Sequence, residues 1–233
     1  MYVPDIHSLV LVDITDVRAA EDAPRFGDHV LSDDGQVQIG IWSASPGVLC
    51  DPTGDYVETM FMVAGRATVA ASEGSPYDLV PGALWATPRH WVGPWEIHQT
   101  VRKLYVIDNR PAMSCDAGAS TYLANAYASE LDAPVRRPVV IAGDPHEASR
   151  MLWAHDQLEA GVWECTPGEF PFRRDGYDEV FCVLSGRATL YTDAGQAFEL
   201  TPGTVMLTPA GLCGRWVVHD TIRKAYTIVL GRG

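Results

Sequence analysis

The chain states its second half in the terms of its first. Val57–Tyr105 reads VETMFMVAGRATVAASEGSPYDLVPGALWATPRHWVGPW followed by EIHQTVRKLY, and Asp178–Tyr226 reads DEVFCVLSGRATLYTDAGQAFELTPGTVMLTPAGLCGRW followed by VVHDTIRKAY. Trp42 and Trp163, Glu58 and Glu179, and Lys103 and Lys224 are each 121 residues apart, so no insertion or deletion separates the copies. An ungapped period of that length marks a duplicated domain, because solenoid periods are far shorter. Whatever one copy folds into, the other must fold into as well.

Each copy is built of short apolar runs broken by Gly, Pro and Asp-containing turns, the pattern of short antiparallel strands packed as a sandwich or barrel. Gln38–Trp42, Tyr56–Val63, Ala67–Ala71, Tyr77–Val80, Leu84–Thr87, Trp95–His98 and Val101–Ile107 are expected strands, with a hairpin around Ala64-Gly65-Arg66 and a turn at His98-Gln-Thr. Before them, LVLVDI reads as an entry strand and the residues up to Gly35 as a polar loop. A Pro-rich junction runs from Asn109 to Asp144; its Ala- and Leu-containing middle suits a short helix, and Val135–Ile141 suits a second entry strand. The boundary is placed at Cys115, giving domains 1–115 and 116–233. Duplication of this kind suggests an intramolecular pseudo-dimer. A homodimer beyond that is compatible with the sequence but marked by no feature.

The net charge of −13 argues against nucleic acid and anionic membranes as partners, since both need basic patches. MYVPDIHSLV has neither the basic flank nor the apolar run of a secretory signal. Five scattered cysteines without a C-x-x-C pair fit reduced thiols, and with the missing signal they point to the cytoplasm.

Two motifs carry a family resemblance. The first ends in Glu, six residues, Gly (Glu58 to Gly65, Glu179 to Gly186); the second opens with Gly, five residues, Pro (Gly82 to Pro88, Gly203 to Pro209). Together with R-K-x-Y at Arg102–Tyr105 and Arg223–Tyr226, they make each copy resemble a cupin of the branch related to the ethanolamine-utilisation cupin EutQ. The resemblance implies an all-β chain of two tandem cupin barrels, each a double-stranded β-helix or jelly roll. Metal-binding cupins carry His-x-His shortly before the Glu and a third His after the second motif. Here those windows hold Asp51–Gly54 and Phe172–Asp175, and the third position is Gly93 or Gly214. One Glu per barrel falls short of the roughly three protein ligands of a catalytic metal, so neither a metal nor another cofactor is expected. His90, beside the second motif, reads as a surface loop residue.

Strand alternation points Tyr56 and Glu58, and likewise Tyr177 and Glu179, into the barrels, with Lys103 and Lys224 on the facing strand. The pairs Glu58–Lys103 and Glu179–Lys224 would balance each other's charge where other cupins hold a metal. Two roles stay open: they hold strands in register, or a Glu or Lys does acid–base or nucleophilic chemistry. Trp163 and Trp216, with counterparts Trp42 and Trp95, are core residues or stacking walls. The second copy alone has Phe172, Arg173 and Arg174 at the barrel mouth; alternation turns only one arginine inward, making an anion site there. The candidate binding residues are therefore Tyr177, Tyr56, Phe172, Arg174, Trp163 and Trp216. Two functions fit: a metal-independent lyase, isomerase or dehydratase acting on a small molecule, or a non-catalytic ligand-binding or scaffold protein. The missing histidines disfavour a metal-dependent dioxygenase or hydrolase.

Overall fold

A computed structural model of the chain describes residues 1–14, 23–50, 54–70, 75–113 and 120–232. In the first half the strands are β1 (Tyr2–Val3), β2 (Val12–Asp13), β3 (Phe26–Asp33), β4 (Val37–Ala44), β5 (Gly47–Cys50), β6 (Val57–Val69), β7 (Tyr77–Leu79), β8 (Ala83–Thr87) and β9 (Pro94–Asp108). The second half contains β10 (Tyr122–Asn125), β11 (Val135–Arg136), β12 (Ala142–Gly143), β13 (His146–His155), β14 (Leu158–Cys165), β15 (Gly168–Arg173), β16 (Tyr177–Thr192), β17 (Ala197–Leu200), β18 (Val205–Thr208) and β19 (Cys213–Leu230). Among the described residues there is no helix.

The strands form two antiparallel barrels. One runs in the order β10-β8-β6-β9-β4-β3-β2, with β5 on β9 and β7 on β6; the other runs β1-β18-β16-β19-β14-β13-β11, with β15 on β19, β12 on β15 and β17 on β16. The registers are duplicates of each other. Asp28 pairs with Trp42 as Ser149 pairs with Trp163, and Glu58 pairs with Ile107 as Glu179 pairs with Ile228. The first barrel is filled by Met60, Met62, Val69, Leu79, Trp85, Trp95 and Ile97, the second by Phe170, Phe181, Leu190, Leu200, Trp216 and Val218.

Several sequence expectations change. The Gly65 and Gly186 turns are not hairpins, and His98-Gln-Thr is not a turn. The strands β6 and β9, like β16 and β19, continue through these points and stay paired on both sides. Register shifts flank Gly65 and Gly186, which sit at φ +84° and +83°. These are β-bulges, which bend a strand instead of reversing it. A Cβ at Gly65 would lie 2.2 Å from the Thr100 carbonyl oxygen, and one at Gly186 2.1 Å from that of Thr221. The segment read as a polar loop contains β3, whose polar residues lack a clean period and take their strand pairing from β4. The expected helix in the junction is replaced by β10, which pairs with β8 from Tyr122↔Ala86 to Asn125↔Ala83; residues 114–119 lie outside the described residues.

The edge strands are exchanged between the repeats. Tyr2 and Leu123 occupy equivalent positions in the 121-residue period, and they pair with the equivalent residues Met206 and Trp85. Yet β1 precedes the first repeat and closes the second barrel, while β10 precedes most of the second repeat and closes the first. The compact units are accordingly His7–Asn125, and Met1–Ile6 together with Ala126–Gly233, rather than a division at 115/116. Ile6 is fully buried, and its amide donates to the Gly203 carbonyl at 2.9 Å.

Candidate functional site

Each barrel encloses a cavity of about 230 Å³. That is somewhat below the roughly 300–1,000 Å³ of drug-sized ligand sites, which suits a small organic molecule. Neighbouring lining residues of one strand lie two apart, as in Tyr177 and Glu179 or Lys224, Tyr226 and Ile228, because pleating turns alternate side chains to one face.

In the second barrel β16 contributes Tyr177 and Glu179, β19 contributes Trp216, Lys224, Tyr226 and Ile228, β14 contributes Trp163, and the β15 region contributes Phe170, Phe172 and Arg174. Arg137 and Ser149 complete the lining. All the second-barrel residues singled out from the sequence are therefore brought together. Of the two arginines, Arg174 is buried, while Arg173 is exposed and pairs with Asp175.

Glu179 is held from both sides. Lys224 Nζ donates to its Oε1 and Arg174 Nη2 to its Oε2. Arg174 Nε also donates to Thr208 Oγ1 at 2.9 Å, and its Nη1 lies 3.2 Å from the Tyr177 hydroxyl. The Lys224 ammonium stands 4.4 Å over the Phe181 ring and 5.0 Å over Trp163, and Arg174 stands 5.1 Å over Phe172, all within cation–π range. Burial would raise the Glu179 carboxyl, but Lys224 and then Arg174 outweigh it and hold the group below its ordinary value. Two cations share this one carboxylate, so the attraction per cation is diluted. Burial, opposed by Glu179 and reinforced by Arg174, brings Lys224 down to about 8. Arg137 is paired with Glu147, which also accepts from Trp163 Nε1 at 2.9 Å. Arg137 Nε is buried and has no partner among the described residues. The cavity wall thus carries one surplus positive charge.

In the first barrel Lys103 Nζ bonds Glu58 Oε1 at 2.7 Å, approaches Met60 Sδ at 3.2 Å, and stands 4.9 Å over Trp42 and 5.2 Å over Trp95. Tyr56, Thr87, Trp91 and Tyr105 share the lining with Asp28 and Gln38. The Tyr105 hydroxyl donates to Asp28 at 3.2 Å or to Gln38 Oε1 at 3.2 Å, and burial first, then Asp28, pushes its pKa far up. The two lining tyrosines need room: a Cβ at Gly40 would lie 2.5 Å from the Tyr105 hydroxyl, and one at Gly161 2.8 Å from that of Tyr226. Burial, then Glu179 and Glu159, raises Tyr226 to about 12. Asp28, Gln38, Thr87 and Arg137 are site residues that sequence reasoning missed. Their signal was the offset itself, which aligns Asp28 with Ser149 and Thr87 with Thr208.

The described donors of the two cavities do not fit a transition metal. The motif carboxylate of each cavity is engaged by an ammonium group, in the second barrel by a guanidinium as well. Among the described residues no three His, Cys, Asp or Glu side chains are grouped to hold an ion. His90 is exposed, lies 3.6 Å from Asp55, and does not line the cavity. Burial raises the thiols of Cys165 and Cys182 to about 12, so they pack as small apolar groups. Within the first copy's ligand window, Asp51–Gly54, residues 51–53 lie outside the described residues. Among the described residues no helix is long and apolar enough to cross a membrane.

Two antiparallel barrels of one register, each with an inward Glu on the first motif strand, define a bicupin. Residues 31–105 and 153–226 each match the model of the EutQ-like cupin domain, and the chain belongs to that family. No curated protein sequence matches it. Solved structures share the fold at low identity. One is a Pseudomonas syringae pv. tomato protein of unknown function, with TM-score 0.70 and 19% identity over 88% of this chain and 86% of that one. A second is Ylba from E. coli, with TM-score 0.68 and 11% identity over 100% and 91%. A third is a salicylate 1,2-dioxygenase from Pseudaminobacter salicylatoxidans, with TM-score 0.63 and 12% identity over 87% and 76%.

Proposed function

We propose that the chain binds a small organic carboxylate in its second barrel, without a metal. The observation that carries this reading is the pairing of Arg174 and Lys224 on one carboxylate, which leaves a buried surplus positive charge inside aromatic walls. A ligand carboxylate would neutralise it. Arg137 Nε and the Tyr226 hydroxyl, neither hydrogen-bonded among the described residues, supply further donors. Phe170, Phe172, Trp163 and Trp216 would hold an apolar body.

Binding is better supported than catalysis by Glu179, because both of its oxygens are already taken by cations. Acid–base turnover of the lyase or isomerase kind would instead run through Lys224, whose proton comes off near pH 8, within reach of working pH. Calorimetry at pH 7 with small carboxylates and their amides tests the reading. Carboxylates are expected to bind at least about tenfold more tightly than the amides, and Arg174→Gln to remove that preference. Equal affinities would overturn it. Transfer of solvent deuterium to the bound carboxylate, followed by NMR, separates an enzyme from a binding protein.

A further inference from the structure

The two barrels differ in what surrounds the motif carboxylate. In the second, Arg174 occupies Glu179 Oε2 and Thr208 Oγ1. In the first, the equivalent Glu58 has Lys103 on Oε1, and among the described residues nothing bonds its Oε2. The equivalent Thr87 hydroxyl lines the cavity, is fully buried and has no hydrogen-bond partner among the described residues. A buried hydroxyl left unpaired is destabilising, and a ligand that bonds it recovers that loss. The residue at the place of Arg174 in the period is Thr53, which has no charge to offer.

The charges differ in the same sense. Asp28 lines the first cavity where Ser149 lines the second, and among the described residues it forms no ion pair; its bonds come from Tyr105. Asp28 and Glu58 against Lys103 leave one surplus negative charge, where the second cavity has one surplus positive charge. The walls include Trp91 and Tyr56 besides the two tryptophans already under Lys103. Planar cations stack well on such faces.

We propose that the first barrel is a separate site for a small organic cation of the guanidinium type, which takes on Glu58 Oε2 and Thr87 Oγ1 the place that the Arg174 side chain takes on Glu179 Oε2 and Thr208 Oγ1. Asp28 supplies the counter-charge. The site shares no residue with the carboxylate site, so either can fail without the other.

The test uses the whole chain at pH 7, with calorimetry and tryptophan fluorescence, and four probes: n-propylguanidinium, n-propylammonium, the neutral near-isostere n-propylurea, and butyrate. The expected result is one equivalent of n-propylguanidinium bound at least about tenfold more tightly than n-propylurea, with n-propylammonium between them. Asp28→Asn and Thr87→Val should each weaken it by about tenfold, the value of one charge-assisted hydrogen bond, with unchanged melting curves. Asp28 is only partly buried, so its variant tests the charge even if Thr87→Val folds poorly. Equal binding of the urea, no saturation, competition by butyrate, or wild-type affinity in Asp28→Asn would each overturn the proposal.

Discussion

At the scale of single residues, the buried ion pairs differ in what surrounds them, and so should their response to mutation. Removing one partner of a buried pair strands the other and costs about 3–5 kcal/mol, whereas replacing both with apolar groups is often neutral. Glu58→Leu with Lys103→Met should therefore recover most of the loss caused by either change alone. Glu179→Leu with Lys224→Met should not, because Arg174 remains buried without its carboxylate. Urea unfolding of the two single and double sets distinguishes these outcomes. The pH dependence follows from Lys224. Its folded pKa, about 8, lies below the ordinary 10.5, so between these values the unfolded chain holds a proton that the folded one has released. This group makes stability rise with pH across that window. Carboxylate affinity should move the other way and fall as pH passes about 8, because the surplus positive charge is lost; calorimetry at pH 7 and 9 checks the sign. Strand parity made much of this site legible in the sequence: Phe172 and Arg174 point the same way, and Arg173 the other. Asp28 was not legible, because the polar segment around it has no hydrophobic period and becomes a strand only against β4.

At the scale of elements, the two long strands of each barrel turn its corner without ending. Gly65 and Gly186 carry the bend, in a backbone region that an alanine enters at a cost of about 1–2 kcal/mol. The backbone oxygen facing each would add to that. Gly186→Ala is expected to destabilise the second barrel by about 2 kcal/mol or more, and Gly65→Ala the first equally, measured by urea unfolding. A loss under about 0.5 kcal/mol would mean that the bend does not depend on glycine. The sequence showed these glycines as interruptions of apolar runs, and an interruption reads equally as a turn or a bulge. Only the pairing across β9 and β19 decides between them. The expected helix at β10 failed for a similar reason: alanine and leucine favour a helix locally, but the open edge of β8 offers four backbone-paired residues.

At the scale of the whole molecule, the period revealed two copies of one fold and its strand order, but not that each copy borrows its edge from the other. No local propensity records which edge a two-residue strand will join. Consider the chain severed after Cys115. The first piece keeps β1 but has lost the strand that covers β8; the second keeps β10 but has lost the strand that covers β18. Each piece is both a plug without its socket and a socket without its plug. Alone, each should self-associate through its bare edge. Mixed in equal amounts, the two should clip into a single stoichiometric complex of the size of the intact chain, seen as one peak by gel filtration. The exchanged edges would make this bicupin a ready-made split protein, with the break point supplied by its own duplication.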